Sequence, residues 1–216
     1  MDRPNSFRFL KPLFQSMKDP RVISIDLETL IDSQQDFLND ERIIAISLSY
    51  SVPSPRTEVF VAKDESEMSE RDILNKMDNF LGSYQPNVII GYNQTGYDIP
   101  LIQTKLRKLS YADQLWNFKY YSGTSIIIDM MYIIAEDLEA EGDFKLRKLR
   151  DVVSHPRYAH LNLNRKKDNV IIEGMNVGQA IRHLWKNDPV KFLEYCKGDT
   201  EDVLNIFYYL FYRQII

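Results

Sequence analysis

From Arg21 the chain reads Arg-Val-Ile-Ser-Ile-Asp, β-branched and apolar until it meets a carboxylate, and this pattern predicts a buried strand. Residues 42–50 (RIIAISLSY) and 58–62 (EVFVA) predict two more strands, joined as a hairpin through Pro53 and Pro55, so the first three strands form an antiparallel meander. The first 20 residues have no clear period and end at Pro20; they read as an N-terminal arm or short leading element.

Beyond the meander the period changes. Met68, Ile73, Leu74, Met77, Phe80 and Leu81 fall near 3.6-residue spacing and predict a helix over 66–81, with Gly82 as its stop. A short strand at 88–90, a helix over 98–109, a strand over 125–129 and a helix from Met130 to about Ala140 follow. A basic amphipathic helix is expected over 144–153 and a polar loop over 155–174. Helices over 177–185 and 188–211 close the chain, separated at Asn187-Asp188-Pro189, where Asp caps and Pro starts the next helix. The sum is an α/β architecture, a mixed five-stranded sheet flanked by helices, in one domain over residues 21–216. No internal repeat interrupts it.

Composition narrows the class. With 44% hydrophobic, 12% aromatic and 27% charged residues among 216, the chain can bury one sizeable core. Cys196 stands alone, which excludes an internal disulfide framework and a thiolate metal cluster and points to a reducing, cytoplasmic compartment. The apolar stretches are short, and the longest is broken by Asp129, so no membrane span or anchor is expected. A net charge of -4 argues against a coat of basic residues on nucleic acid, while leaving room for carboxylates gathered in one place and lysines in another.

The carboxylates carry the chemistry. Asp26 and Glu28 end the first strand as D-x-E, and residues two apart on a strand point to one side. Asp137-Leu138-Glu139 repeats the spacing inside an acidic helix, where solvent exposure is expected. Asp98 precedes Ile99-Pro100 and by itself suits a helix N-cap. Tyr195 and Asp199 lie four apart on one helical face; alone, such a pair suits a packed tyrosine beside a solvated aspartate, and Asp202 lies on roughly the same face. Taken together, Asp26, Glu28, Asp98 and Asp199 are all-oxygen ligands from a strand end, a helix start and a late helix. That set suits Mg²⁺ or Mn²⁺ rather than zinc, and two such ions about 3.5 to 4 Å apart clamp the attacking and leaving oxygens of a phosphodiester.

These segments resemble a known family. VISIDLETL is similar to the first motif of the DnaQ-like (DEDD) 3′-5′ exonucleases, NVIIGYNQTGYDIPLI to the second and EYCKGDTEDV to the third, with the tyrosine of the DEDDy branch. The wording is nearest to the proofreading domain of family B DNA polymerases, and TSIIID (124–129) and FKLRKL (144–149) resemble its intermediate segments. The likeness spans Val22 to about Phe207 and implies an RNase H-like fold. It further implies that Asp26, Glu28 and Asp199 hold one ion, that Asp26 bridges to a second which Asp98 reaches through water, and that Tyr195 orients the nucleophilic water. Asn93 would contact substrate, and the backbone at Thr29 and Leu30 would wedge against the terminal base. The chain departs from the family at Gly96, where a larger residue is usual, at Tyr97 in place of Phe, and at Gly198 within the last helix.

Phosphate contacts are expected from Lys105, Arg107 and Lys108, from the basic residues between Lys145 and Arg150, and above all from Arg165, Lys166 and Lys167. Tyr92 and Tyr97 suit base stacking; Tyr120, Tyr121 and the late tyrosines suit the core. The implied activity is 3′-5′ exonucleolytic hydrolysis of single-stranded DNA to nucleoside 5′-monophosphates, with RNA as the other substrate and a polymerase or replication and repair protein as the expected partner. A silent binding module and an RNase H-like endonuclease are the competing classes.

Overall fold

The computed structural model describes residues 6–18, 20–31, 41–108, 114–139, 145–163 and 175–213. The strands are β1 (Val22–Ile31), β2 (Glu41–Tyr50), β3 (Arg56–Val61), β4 (Val88–Gly91) and β5 (Ile126–Asp129), in the sheet order β3-β2-β1-β4-β5. The meander pairs antiparallel, while β1–β4 and β4–β5 are parallel. The expected mixed five-stranded sheet is therefore the fold.

Helices α1 (Ser6–Ser16), α2 (Glu67–Tyr84), α3 (Asp98–Lys108), α4 (Trp116–Thr124), α5 (Met130–Glu139), α6 (Leu149–Val153), α7 (Val177–Asn187) and α8 (Pro189–Tyr212) surround the sheet. Strand alternation decides which core each side chain of β1 enters. Ile23, Ile25 and Leu27 pack with Ile73, Leu74 and Met77 of α2 and Leu101 and Ile102 of α3. On the other face Val22 joins Phe207 and Phe211 of α8, and Leu30 joins Phe192 and Cys196 of the same helix. Between these two apolar patches β1 turns Ser24, Asp26 and Glu28 toward α8. The site is thus a polar gap in an otherwise hydrophobic helix–sheet interface.

Several expectations are corrected. Gly82 lies inside α2, which runs to Tyr84 and is capped by Gln85 in the left-handed region. Its role is tertiary, because a Cβ there would stand 2.8 Å from Asn117 of α4, a helix the hydrophobic pattern did not announce. Of the basic helix expected over 144–153, position 144 lies outside the described residues, 145–148 are not helical, and α6 holds the last five. The loop expected over 155–174 contains a 3-10 turn at Pro156–Leu161 that buries Tyr158 completely. Asp137 of the second D-x-E is buried, not solvated: Arg157 donates to both its oxygens at 3.0 Å and the Tyr158 hydroxyl donates at 2.9 Å. The leading segment holds α1, whose Phe14 is fully buried with its ring 4.8 Å from Phe211 and 5.3 Å from Phe207.

Candidate active site

β1 is ten residues long but pairs with β4 only over Val22–Ser24, so its carboxyl half projects beyond that neighbour. Asp26 and Glu28 stand on this projecting half. Helix α8 starts where Asp188 accepts the Lys191 N–H at 3.1 Å with Pro189 in its first turn, then crosses the same face. Two contacts fix its height there. Cys196 is buried beside Leu30, and Ser49 of β2 donates to the Thr200 hydroxyl at 2.8 Å. Asp199 lies between these two anchors. One carboxylate oxygen from each of Asp26, Glu28 and Asp199 falls within 4.8 Å of the others. Asp202 is buried as well but stands outside that trio.

Three carboxylates this close repel one another, and Glu28 is only 7% exposed, so burial adds a desolvation cost. A divalent cation offsets both, and the all-oxygen donor set fits Mg²⁺ or Mn²⁺. The same charges act on Tyr195, one turn before Asp199. Glu28 first, then burial, then Asp199 and Asp26 push its phenol well above the ordinary tyrosine value. Tyr195 is therefore a neutral hydrogen-bonding group here. Cys196 is likewise held as a thiol, by burial first and by the carboxylates second.

Asp98 joins the site from the sheet edge. β1 has no β4 partner at Leu27, and the Leu27 N–H instead donates to Asp98 Oδ1 at 3.1 Å. The carboxylate is 3% exposed and stands beside the backbone between Asp26 and Glu28, outside the close trio. Burial, followed by Asp129 and Glu41 against two backbone hydrogen bonds, pushes its pKa up to about 7. The helix-start position is as expected, although the carboxylate serves β1.

The loop from Gly91 to Tyr97 is built to present Asp98. Gly91 leaves room for Gln94 and for the Ile25 carbonyl; a Cβ would meet them at 2.8 and 2.9 Å. Gln94 is buried and donates to the carbonyls of Ile89 and Ile128. Asn93 adopts a positive φ of 61°, with its side chain exposed at the mouth of the loop. Its Oδ1 lies 2.7 Å from an ideal Cβ at position 96, so a side chain there would require Asn93 to turn aside. Asp129 closes the structure: Oδ1 accepts from the N–H groups of Asn93 and Met131, and Oδ2 from the N–H and hydroxyl of Thr95. The sequence offered one signal for Asp129, a lone acid ending the run SIII. Glu41 had none, yet its Oε2 receives the Tyr97 hydroxyl at 2.6 Å.

The expected substrate residues divide. Thr29 follows Glu28 on β1 with its hydroxyl 2.8 Å from that of Tyr97, and Asn93 is exposed in the loop that leads to Asp98. The Leu30 side chain is 2% exposed in the core, which leaves its backbone for contact. Tyr97 is anchored by its hydroxyl, and Tyr92 donates to the Arg147 carbonyl while packing on the core. Lys105 is buried in an ion pair with Glu70 at 3.0 Å and is withdrawn from phosphate contact, whereas Lys145, Lys148 and Arg150 are exposed. Tyr120, assigned to the core from sequence, is 62% exposed. Arg165, Lys166 and Lys167 lie outside the described residues. Among the described residues no helix is long and apolar enough to cross a membrane.

No curated protein matches the chain. Among solved structures, the family B DNA polymerase of the hyperthermophilic archaeon Pyrobaculum calidifontis is similar in fold, with a TM-score of 0.56 and 20% identity. The likeness covers 86% of this chain and 23% of that polymerase, so the chain spans about a quarter of the protein it resembles. The model of the DNA polymerase family B exonuclease domain matches residues 8–149, which include Asp26, Glu28 and Asp98 but stop short of α8. Over more than half its length, and with α8 bringing Tyr195 and Asp199 to the same place, the chain belongs to the exonuclease domain of DNA polymerase family B, a family of 3′-5′ exonucleases.

Proposed function

We propose that the protein hydrolyses the last phosphodiester bond at the 3′ end of single-stranded DNA and releases nucleoside 5′-monophosphates, with two Mg²⁺ or Mn²⁺ ions as cofactors. The observation that carries this reading is the gathering of Asp26, Glu28 and Asp199 within 4.8 Å. Asp26, Glu28 and Asp199 would hold the ions, with Asp98 at the second position. Bound there, the ions supply an acidified water and counter-charge for the oxygen that departs.

The remaining steps belong to the chain's own groups. Tyr195 stays protonated under the charge of Glu28 and so positions water by hydrogen bonding, without acting as its base. Asn93 faces the terminal nucleotide, with Thr29 and the backbone of Leu30 as the wall beside it. Tyr97 backs that wall through its hydroxyl. Association with a polymerase or another replication or repair protein forms part of the proposal, and membership of the family supports it.

The test is a time course on 5′-labelled single-stranded DNA, duplex DNA, RNA and a circular single strand, with Mg²⁺, with Mn²⁺ and with chelator. A ladder shortening one nucleotide at a time on linear single-stranded DNA, absent with chelator and with Asp26→Ala, is expected. Cleavage of the circle would assign an endonuclease, and preferential shortening of RNA an exoribonuclease.

A further inference from the structure

The Tyr97 hydroxyl has one hydrogen, and it lies 2.8 Å from the Thr29 hydroxyl and 2.6 Å from the Glu41 carboxylate. A carboxylate only accepts, so Tyr97 donates to Glu41, and Thr29 must then donate to Tyr97. The direction of the chain is fixed as Thr29 to Tyr97 to Glu41. Glu41 is itself held, being 1% exposed with its backbone carbonyl accepting from Lys105. Lys105 pairs with Glu70, which also pairs with Arg42 at 2.9 Å and accepts the Ile43 N–H at 2.9 Å. A buried ionic network thus stands behind one phenol.

What this network restrains is the part of β1 that has β2 alone as its neighbour. The register with β2 shifts between Glu28 and Thr29, and on the other side β4 has already ended. The backbone that carries Glu28 and Thr29 is therefore paired on the β2 side alone, with Glu28 opposite Ala45 and Thr29 opposite Ile43, and the ladder is irregular between them. We infer that Glu41 and the Tyr97 hydroxyl are positioning residues, which lock the Thr29 rotamer and with it the wall against which the terminal nucleotide of a single strand is seated. The chain of bonds also turns the Thr29 hydrogen inward, so that Thr29 meets the substrate with an acceptor lone pair. This inference rests on the exonuclease reading above.

The test is a kinetic cycle on linear single-stranded DNA with Tyr97→Phe, Thr29→Val and the double variant, beside Glu41→Gln and Glu41→Leu. Thermal melts and calorimetric titration with Mn²⁺ accompany each. Tyr97→Phe and Thr29→Val each lower kcat/KM about tenfold, and the double variant is no worse than either, because both remove one shared interaction. Glu41→Gln, whose amide oxygen still accepts from the phenol, retains near wild-type kcat/KM, while Glu41→Leu matches Tyr97→Phe. Ion affinity stays at the wild-type value throughout. Losses that multiply in the double variant, or single variants with wild-type kcat/KM, overturn the inference while leaving the exonuclease reading intact. A wild-type protein that shortens no strand overturns both.

Discussion

Asp98 of α3 accepts the backbone N–H of Leu27 in β1 at 3.1 Å, across 71 positions of sequence. The hydrogen bond and the charge of this carboxylate are separated by the substitutions Asn and Ala. Asn keeps an oxygen for Leu27 and removes the charge. Metal-free Asp98→Asn should melt above wild type at neutral pH, because the wild-type carboxyl, ionised in the unfolded chain, must on folding either take up a proton or stay charged at a desolvation cost, its pKa being pushed up to about 7 by burial. The sign follows from linkage: the unfolded carboxyl ionises near 3.8, so the folded state loses stability as pH climbs from that value to about 7. Exonuclease turnover of the same variant should fall by about 100-fold or more. Asp98→Ala should be less stable than Asp98→Asn by about 1–3 kcal/mol, the cost of a buried N–H without a partner. Melts with and without Mg²⁺, beside a nuclease assay, check all three.

Asp129 organises the loop from the other end, and its effect should be visible without loss of the fold. Asp129→Ala removes four acceptor contacts, three of them to backbone N–H groups of Asn93, Thr95 and Met131. Activity is expected to fall roughly 10–100-fold, as when a group that orients the reactive residues is lost. Hydrogen exchange gives an independent readout, since the amides of Asn93 and Thr95 should lose protection while those of β4 keep theirs. Unchanged exchange at both amides would contradict the clamp.

Legibility in the sequence followed the range of the cause. The strand pattern of β1 is local, and so is the side-sharing of Asp26 and Glu28, so both could be read from Val22 to Leu30. Tyr195 and Asp199 share a helical face by spacing alone. What escaped was set by partners far along the chain. Lys105 looks like a phosphate ligand until Glu70 of α2 is placed beside it, and Asp137 looks solvated until Arg157 is. Asp98 stands out in the sequence, but its bond to the Leu27 N–H shows only once β1 is known to have no β4 partner there. Helix α4, WNFKYYSGT, buries only Phe118 as a core residue, so it carries almost no periodic signal to read.

Phe14 tests how firmly the leading segment belongs to the body. Its ring is fully buried against Phe207 and Phe211, and Tyr212 donates its hydroxyl to the Phe14 carbonyl at 3.0 Å. Phe14→Ala is expected to cost about 3–5 kcal/mol, the usual loss for a buried phenylalanine in a site that cannot collapse. Chemical denaturation measures it. A loss below about 1 kcal/mol would mean that α1 is an appendage.

Gly82→Ala sets two effects of similar size against each other. Alanine gains about 1 kcal/mol of helix propensity in the interior of α2. Its methyl group would meet the Asn117 amide at 2.8 Å, and Asn117 cannot withdraw freely because its Nδ2 donates to Asp78 at 3.0 Å. Losing a hydrogen bond to a charged group costs about 1.5–3 kcal/mol. The net expectation is destabilisation by about 1 kcal/mol, with Gly82→Ala in an Asn117→Ala background becoming neutral or stabilising relative to that background. Equilibrium unfolding of the four proteins measures the coupling, and a single variant more stable than wild type would show that Asn117 moves aside without cost.

Asp64 carries the clearest acid-side pH dependence away from the active site. Its Oδ1 accepts from the Ser66 N–H at 2.9 Å, from the Ser66 hydroxyl and from the Ser69 hydroxyl at 2.6 Å, just before α2 begins. Those hydroxyls favour the ionised form and lower its pKa from 3.8 to about 2. The unfolded chain therefore takes up this proton first as pH falls. Stability from the group is fully present above about 4 and is lost progressively as pH drops through about 2. Ser66 is itself the N-cap of α2, accepting from Ser69 N–H at 3.2 Å, so protonation of Asp64 loosens the cap it organises. The carboxyl carbon of Asp64, followed by NMR, should titrate near 2, and the difference in Tm between wild type and Asp64→Asn should shrink steadily below about pH 4. A midpoint near the ordinary aspartate value would remove the cap network from solution, because three donors that hold an ionised oxygen in place must also resist its protonation.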